Sequence, residues 1–150
     1  IDRGDAFELT HPPCVEETFP DYEEGMELLR EGDVESARDA LRFALQGCRD
    51  SLWIHVALGQ IALLEQGDAE LARGHFGYAF ELVVQSLPAN FQGRLPRDRP
   101  ANQPAYAAIE GLIKCFEKLK NPREVEYLTG LARKLEGASP RSSQTSPKPR

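Results

Sequence analysis

Six side chains in this sequence are the ones best suited to bind a metal or to act as base or nucleophile near neutral pH: His11, His55, His75, Cys14, Cys48 and Cys115. His11 and Cys14 lie three apart in HPPC and could offer two ligands. A structural metal site asks for four, and Cys48 and Cys115 fall inside apolar helical stripes, so no metal is expected. His55 belongs to a crowded apolar stretch and His75 to the segment after it. A catalytic base needs an orienting partner, and the sequence supplies none for either. There is no glycine-rich phosphate loop with lysine, no G-x-S-x-G elbow and no C-x-x-C pair. The expectation is a protein that is not an enzyme and takes no cofactor. Cys48 and Cys115 read as small core residues, and Cys14 as a loop residue with nothing beside it to lower its pKa. Three cysteines at wide spacings do not suggest a disulfide framework and fit a reducing cytosol, so the chain is expected to be cytoplasmic.

The elements that must position these residues follow from an internal repeat. Displaced by 35 residues, LLREGDVESARDALRFAL (28–45) aligns with LLEQGDAELARGHFGYAF (63–80), with eight identities in 18 positions. In each copy a glycine (Gly32, Gly67) stands where a first helix must end, because glycine enters the left-handed conformation without a Cβ clash. An aspartate (Asp33, Asp68) follows as the N-cap of a second helix. That helix carries apolar residues at spacings of three and four, Val34, Ala37, Leu41, Ala44, Leu45 and Cys48 in one copy, Ala69, Ala72, Phe76, Ala79, Phe80 and Val83 in the other. The alanines let a neighbouring helix approach, while Leu41 and Phe76 fill the space between. The helix from Leu52 to about Gln66 is apolar nearly all round and therefore has to be covered on more than one side. A third, degenerate pair follows, with Tyr106, Ile109, Leu112, Ile113, Phe116 and Leu119 on one face. Asn121 and Pro122 then start a last helix striped by Val125, Leu128, Leu131, Ala132 and Leu135.

The Gly-Asp turn, the alanines after each turn glycine, Leu41 and Phe76 between them, and the Leu58-Gly59 dipeptide resemble the tetratricopeptide repeat. The likeness is good over about 20–85 and poor over 103–136. It departs from the family pattern in lacking the closing proline before Trp53, in placing Leu58-Gly59 one residue further from its turn, and in lacking a turn glycine in the third pair. The resemblance implies an all-α fold of antiparallel helix pairs stacked as a short right-handed solenoid. It also implies a concave groove formed by the first helix of each pair, here Tyr22, Met26 and Arg30, then Trp53, Val56, Gln60 and Glu65. Tyr, Trp and Met suit an interface because they bury much area with few rotors. Relatives that grip acidic chaperone tails place Lys and Asn where Tyr22 and Met26 stand, so a chaperone-tail clamp is not expected.

The expected organisation is an N-terminal extension (1–20), a helical domain (21–136) with pairs at about 21–48, 51–85 and 104–136, and a basic low-complexity tail (137–150) too polar to order itself. Ser139-Pro140 and Ser146-Pro147 in that tail offer phosphorylation sites. Between the second and third pairs a proline-rich insertion (86–103) is longer than such connections usually are. Its Phe91, Arg94, Arg97 and Arg99 would serve as a lid over the groove or as a basic patch.

The 150 residues suit one domain, and the net charge of −6 conceals a polarity. Residues 1–85 hold 18 acidic and 6 basic side chains, residues 86–150 hold 6 and 12. The acidic half repels phosphate, so nucleic acid is not an expected partner. No apolar run has the length of a bilayer span, and no membrane association is expected. These readings converge on a protein-interaction module or assembly adaptor that binds a partner peptide or helix in the groove. The alternatives are a homo-oligomerising scaffold joined through an uncapped end, and the regulatory domain of an enzyme with His55 or His75 in the groove.

Overall fold

In the computed structural model, which describes residues 6–137, each turn of the repeat is closed by its own backbone. The helices are α1 (Cys14–Glu17), α2 (Phe19–Arg30), α3 (Val34–Gly47), α4 (Leu52–Gln60, continued by a π turn Ile61–Glu65), α5 (Ala69–Ser86), α6 (Gln103–Lys118) and α7 (Pro122–Glu136). After α2 the chain turns at Gly32, φ +87°. The Gly32 and Asp33 amides donate back to the carbonyls of Leu29 and Leu28 at 3.0 and 2.9 Å, which satisfies carbonyls that the helix end leaves free. Asp33 and Asp68 then cap α3 and α5, accepting the amides of Ser36 and Leu71 at 3.2 and 3.0 Å. The third turn uses the same bonds without a glycine: Lys120 takes φ +61°, and Asn121 donates to Phe116 at 2.9 Å.

The shifted Leu58-Gly59 dipeptide has a structural cause. A methyl group on Gly25 would fall 2.7 Å from the Leu41 side chain, and one on Gly59 would fall 2.9 Å from the Phe76 ring. Gly25 and Gly59 are therefore equivalent close-approach points, yet Gly59 stands one residue further from its turn. The last turn of α4 widens to absorb that residue: Gln66 donates to Ile61, five back, and Asp68 reaches Ala62, six back, where Asp33 reached only five. A single-residue excess is what a π turn accommodates.

α2 packs on α3; α4 packs on α2, α3, α5 and α6; α5 packs on α6 and α6 on α7. Neither α3 with α5 nor α5 with α7 is among the closely packed pairs. The all-round apolar character of α4 is thereby explained. Its Ile54, Ala57, Leu58 and Ile61 join Ala37, Leu41 and Ala44 in one core, while its Leu52, Val56, Ala62 and Leu63 join Phe76, Ala79, Tyr106, Ile109 and Leu112 in another. Among the described residues there is no strand, only an isolated bridge between Ala6 and Arg94, and no helix is long and apolar enough to cross a membrane.

Cys14, at the start of α1, and Cys48, the C-cap of α3, form a disulfide with Cα atoms 5.4 Å apart. This corrects the expectation that the cysteines are unpaired. Their sequence separation of 34 hides the pairing, because only the folding of α2 back against α3 brings the two positions together. Cys115 is free and buried. The expected basic tail lies outside the described residues beyond Gly137, as do its two Ser-Pro steps.

Candidate functional site

The first-helix residues do not form one open groove. Tyr22 and Met26 are half-buried against the core shared by α2, α3 and α4, and burial pushes the Tyr22 phenol up, with Glu23 adding to the effect. Val56 is 7% exposed and belongs to the core between α4, α5 and α6 rather than to any surface. An all-round apolar helix with neighbours on both sides gives the sequence no signal to tell a groove position from a core one. Trp53 is half-buried, its ring 4.4 Å from that of His11, so the N-terminal segment covers it. Arg30 pairs with Glu27 at 2.6 Å on an exposed surface. Gln60 remains accessible in a small hollow between α4 and α6 that it shares with Leu64, Ala107, Glu110 and Lys114. Leu64 is 67% exposed, and Glu65 is exposed beside it.

The extension and the insertion form one clasp across the ends of the helices. The pin is Asn102, fully buried before α6. Its side chain accepts the Leu9 amide at 2.8 Å and donates to the carbonyls of Phe7 and Pro96 at 3.0 and 3.1 Å, so a buried amide is satisfied at every position that costs energy to leave empty. His11 reaches the Ala101 carbonyl at 2.8 Å, Phe7 meets Phe91 edge to face at 4.9 Å, and the Leu95 amide donates to Leu135 at 2.7 Å. The expected basic patch is altered by these contacts. Arg97 pairs with Glu110 and Glu136 and lies 4.3 Å over the Tyr106 ring; Arg99 pairs with Glu8 at 3.3 Å; the stem of Arg94 packs against Gly137. The contacts described for the insertion are with α6, α7 and the N-terminal segment, and its Leu87, Pro88 and Phe91 line a hollow with Phe80, Val83 and Val84 of α5. Nothing in the sequence marked Asn102, whose partner Phe7 is 95 residues away.

His55 and His75 do come together. The Nε2–H of His55 donates to the Arg49 carbonyl at 2.8 Å, which leaves its Nδ1 to face Nδ1 of His75 at 3.4 Å. Tyr78 stacks on His55 with centroids 4.6 Å apart and donates its hydroxyl to Asp50 at 2.8 Å. Burial lowers the pKa of both imidazoles; for His75, with His55 and Arg42 adding to the effect, it falls to about 4. Both rings are thus neutral near pH 7, and the His75 Nδ1–H can donate to the His55 Nδ1. Among the described residues no group of three or more metal-binding side chains converges.

A further surface hollow is one the sequence did not single out. Between α5 and α7 runs a channel floored by Leu112 and Phe116 of α6, with hollows of about 460 Å³ at its N-terminal half and about 190 Å³ at its C-terminal half. Gly74 and Gly77 leave the α5 wall low, since a methyl there would touch nothing. Tyr127 of α7, 60% exposed, and Val84 of α5, 46% exposed, stand along the channel. Comparison with protein-family models, with curated proteins and with solved structures finds no match.

Proposed function

We propose that this chain is a non-catalytic protein-interaction module, an assembly adaptor built as a short right-handed solenoid of three helix pairs like the tetratricopeptide repeat. One observation carries the reading: α4 packs on α2 and on α6, whereas the second helices of the pairs are not among the closely packed pairs. First helices adjoining in sequence order make one continuous side, which is the arrangement that gives stacked pairs a curved binding surface. A partner peptide or helix would lie along Tyr22 and Met26 and continue over Gln60, Leu64 and Glu65. Trp53 contributes once His11 moves aside, and Val56 supports the surface from below. Tyr and Met along such a strip supply the anchors, and the acidic N-terminal half steers basic partners toward it. The cytoplasmic expectation loses its cysteine argument, because a bonded Cys14–Cys48 pair is what oxidising surroundings preserve.

The test is to pan a displayed peptide library against the protein and to map a selected peptide by amide chemical-shift changes. Changes centred on Tyr22, Met26, Gln60 and Leu64, with affinity lost in Tyr22→Ala/Met26→Ala, are expected. Peptides that bind this double variant as well as the parent, both being helical by circular dichroism, would show the strip to be the wrong surface.

A further inference from the structure

The α5–α7 channel is lined by a pattern that is its own complement, and we infer that it joins two copies of this chain through antiparallel α7 helices. On α7 the lining residues are Glu124, Tyr127, Leu131 and Lys134, with Leu128 and Leu135 deeper. Glu124 with Lys134, and Tyr127 with Leu131, have the same midpoint in the sequence, Thr129. A twofold axis passing beside Thr129 therefore sets Glu124 against Lys134 of the second copy and Tyr127 against its Leu131, all four contacts occurring at once. A self-complementary patch of this kind is what a closed twofold dimer requires.

The surroundings agree with that register. Glu81 of α5 lines the same hollow as Glu124, so the incoming lysine meets two carboxylates, while Arg73, which also lines it, is paired with Glu70 at 2.7 Å. Among the described residues none of Glu81, Glu124 and Lys134 has an ion-pair partner. Gly130, next to the axis, carries no side chain and has open space where a methyl would stand, which lets two helix backbones approach closely. The exposed ring of Tyr127 would enter the C-terminal hollow of the other copy, which Leu131 lines together with Phe80 and Val84 of α5. No charged residue of α7 meets its own sign in this pairing, because positions 123, 126 and 133 fall opposite Leu135, Ala132 and Val125.

The inference does not depend on the binding strip along α2 and α4, which lies on other helices. Its test is sedimentation equilibrium of the intact chain over a wide concentration range. The parent is expected to reach a dimer. Glu124→Lys and Lys134→Glu, each altering two symmetry-related pairs, should each weaken dimerisation about tenfold to a hundredfold. The double variant Glu124→Lys/Lys134→Glu should restore it, since reversed charges face each other again. Tyr127→Glu should leave a monomer, and Tyr22→Ala/Met26→Ala should leave the dimer intact. All these positions but Tyr22 and Met26 are exposed, and circular dichroism shows whether each variant is folded. A parent that stays monomeric at every concentration overturns the inference. So does a dimer indifferent to the single reversals, or one that the double reversal does not restore.

Discussion

α4 separates two cores that solve the same packing problem with different materials. On one side Ala37, Leu41, Ala44, Ile54, Ala57, Leu58 and Ile61 make a small, wholly aliphatic core. On the other, Phe76 and Tyr106 lie fully buried among aliphatics from α4, α5, α6 and α7. Each receives an added tie. Beside the small core the Cys14–Cys48 bond ties the start of α1 to the end of α3, while the large one is closed by the Asn102 clasp and by the Tyr106 hydroxyl on the Leu95 carbonyl. A repeat thus specifies the brick, and each end of the molecule is reinforced in its own way: covalently at the first pair, by buried polar contacts around the third.

The contrast is broken most strongly at Phe76. Gly59 and Gly111 both lie against its ring, from α4 and from α6, so neither of these two neighbours has a side chain to fill the space it leaves. Phe76→Ala is expected to lower unfolding stability by about 3–5 kcal/mol in a urea titration, far more than a change of the same kind at the half-buried Met26. Next comes the covalent tie. Cys14→Ser opens a loop of separation 34 and should remove about 3–4 kcal/mol. Hydrogen exchange should rise in α1, α2 and α3 and stay low in α6. Equal loosening at both ends would mean that the two cores are not reinforced separately.

The histidine corner sharpens the comparison through pH. His55 and His75 have folded-state pKa values below the ordinary 6.5, with His75 at about 4. The unfolded chain therefore binds more protons in that interval, and stability is complete above pH 6.5 and falls as pH drops toward 4. The groups facing the pair are Arg42, Arg49, Asp50 and Tyr78. In His75→Gln, denaturation midpoints should vary less between those pH values than in the parent. The smallest effect is expected at the third turn. Lys120 holds a left-handed conformation that glycine adopts without strain, so Lys120→Gly should raise stability by up to about 1 kcal/mol. The same test at Gly32, made in reverse as Gly32→Lys, should lower it.

The elements were legible in the sequence because their causes are local. Helix periodicity, the Gly-Asp turns with their caps, and the need to cover α4 on two sides involve residues a few positions apart, and each is present in the structure. The candidate site was less legible. The six residues named with Val56 kept some exposure, whereas Val56 was drawn into the core, and Arg97 and Arg99 of the insertion acquired carboxylate partners. Periodicity identifies which side of a helix is apolar and leaves open whether that side meets another helix or a ligand.

By itself, then, the sequence determined an all-helical chain of three pairs, where each pair turns, and which helix had to lie in the middle. Only the tertiary structure decided that Cys14 bonds Cys48, that Asn102 pins two distant segments, that a lysine makes the third turn, and that α5 and α7 stand apart around an open channel. The reason is range. Turn and helix signals act between neighbours along the chain, while these contacts join positions brought together only after the helices have packed, and no spacing in the sequence records them.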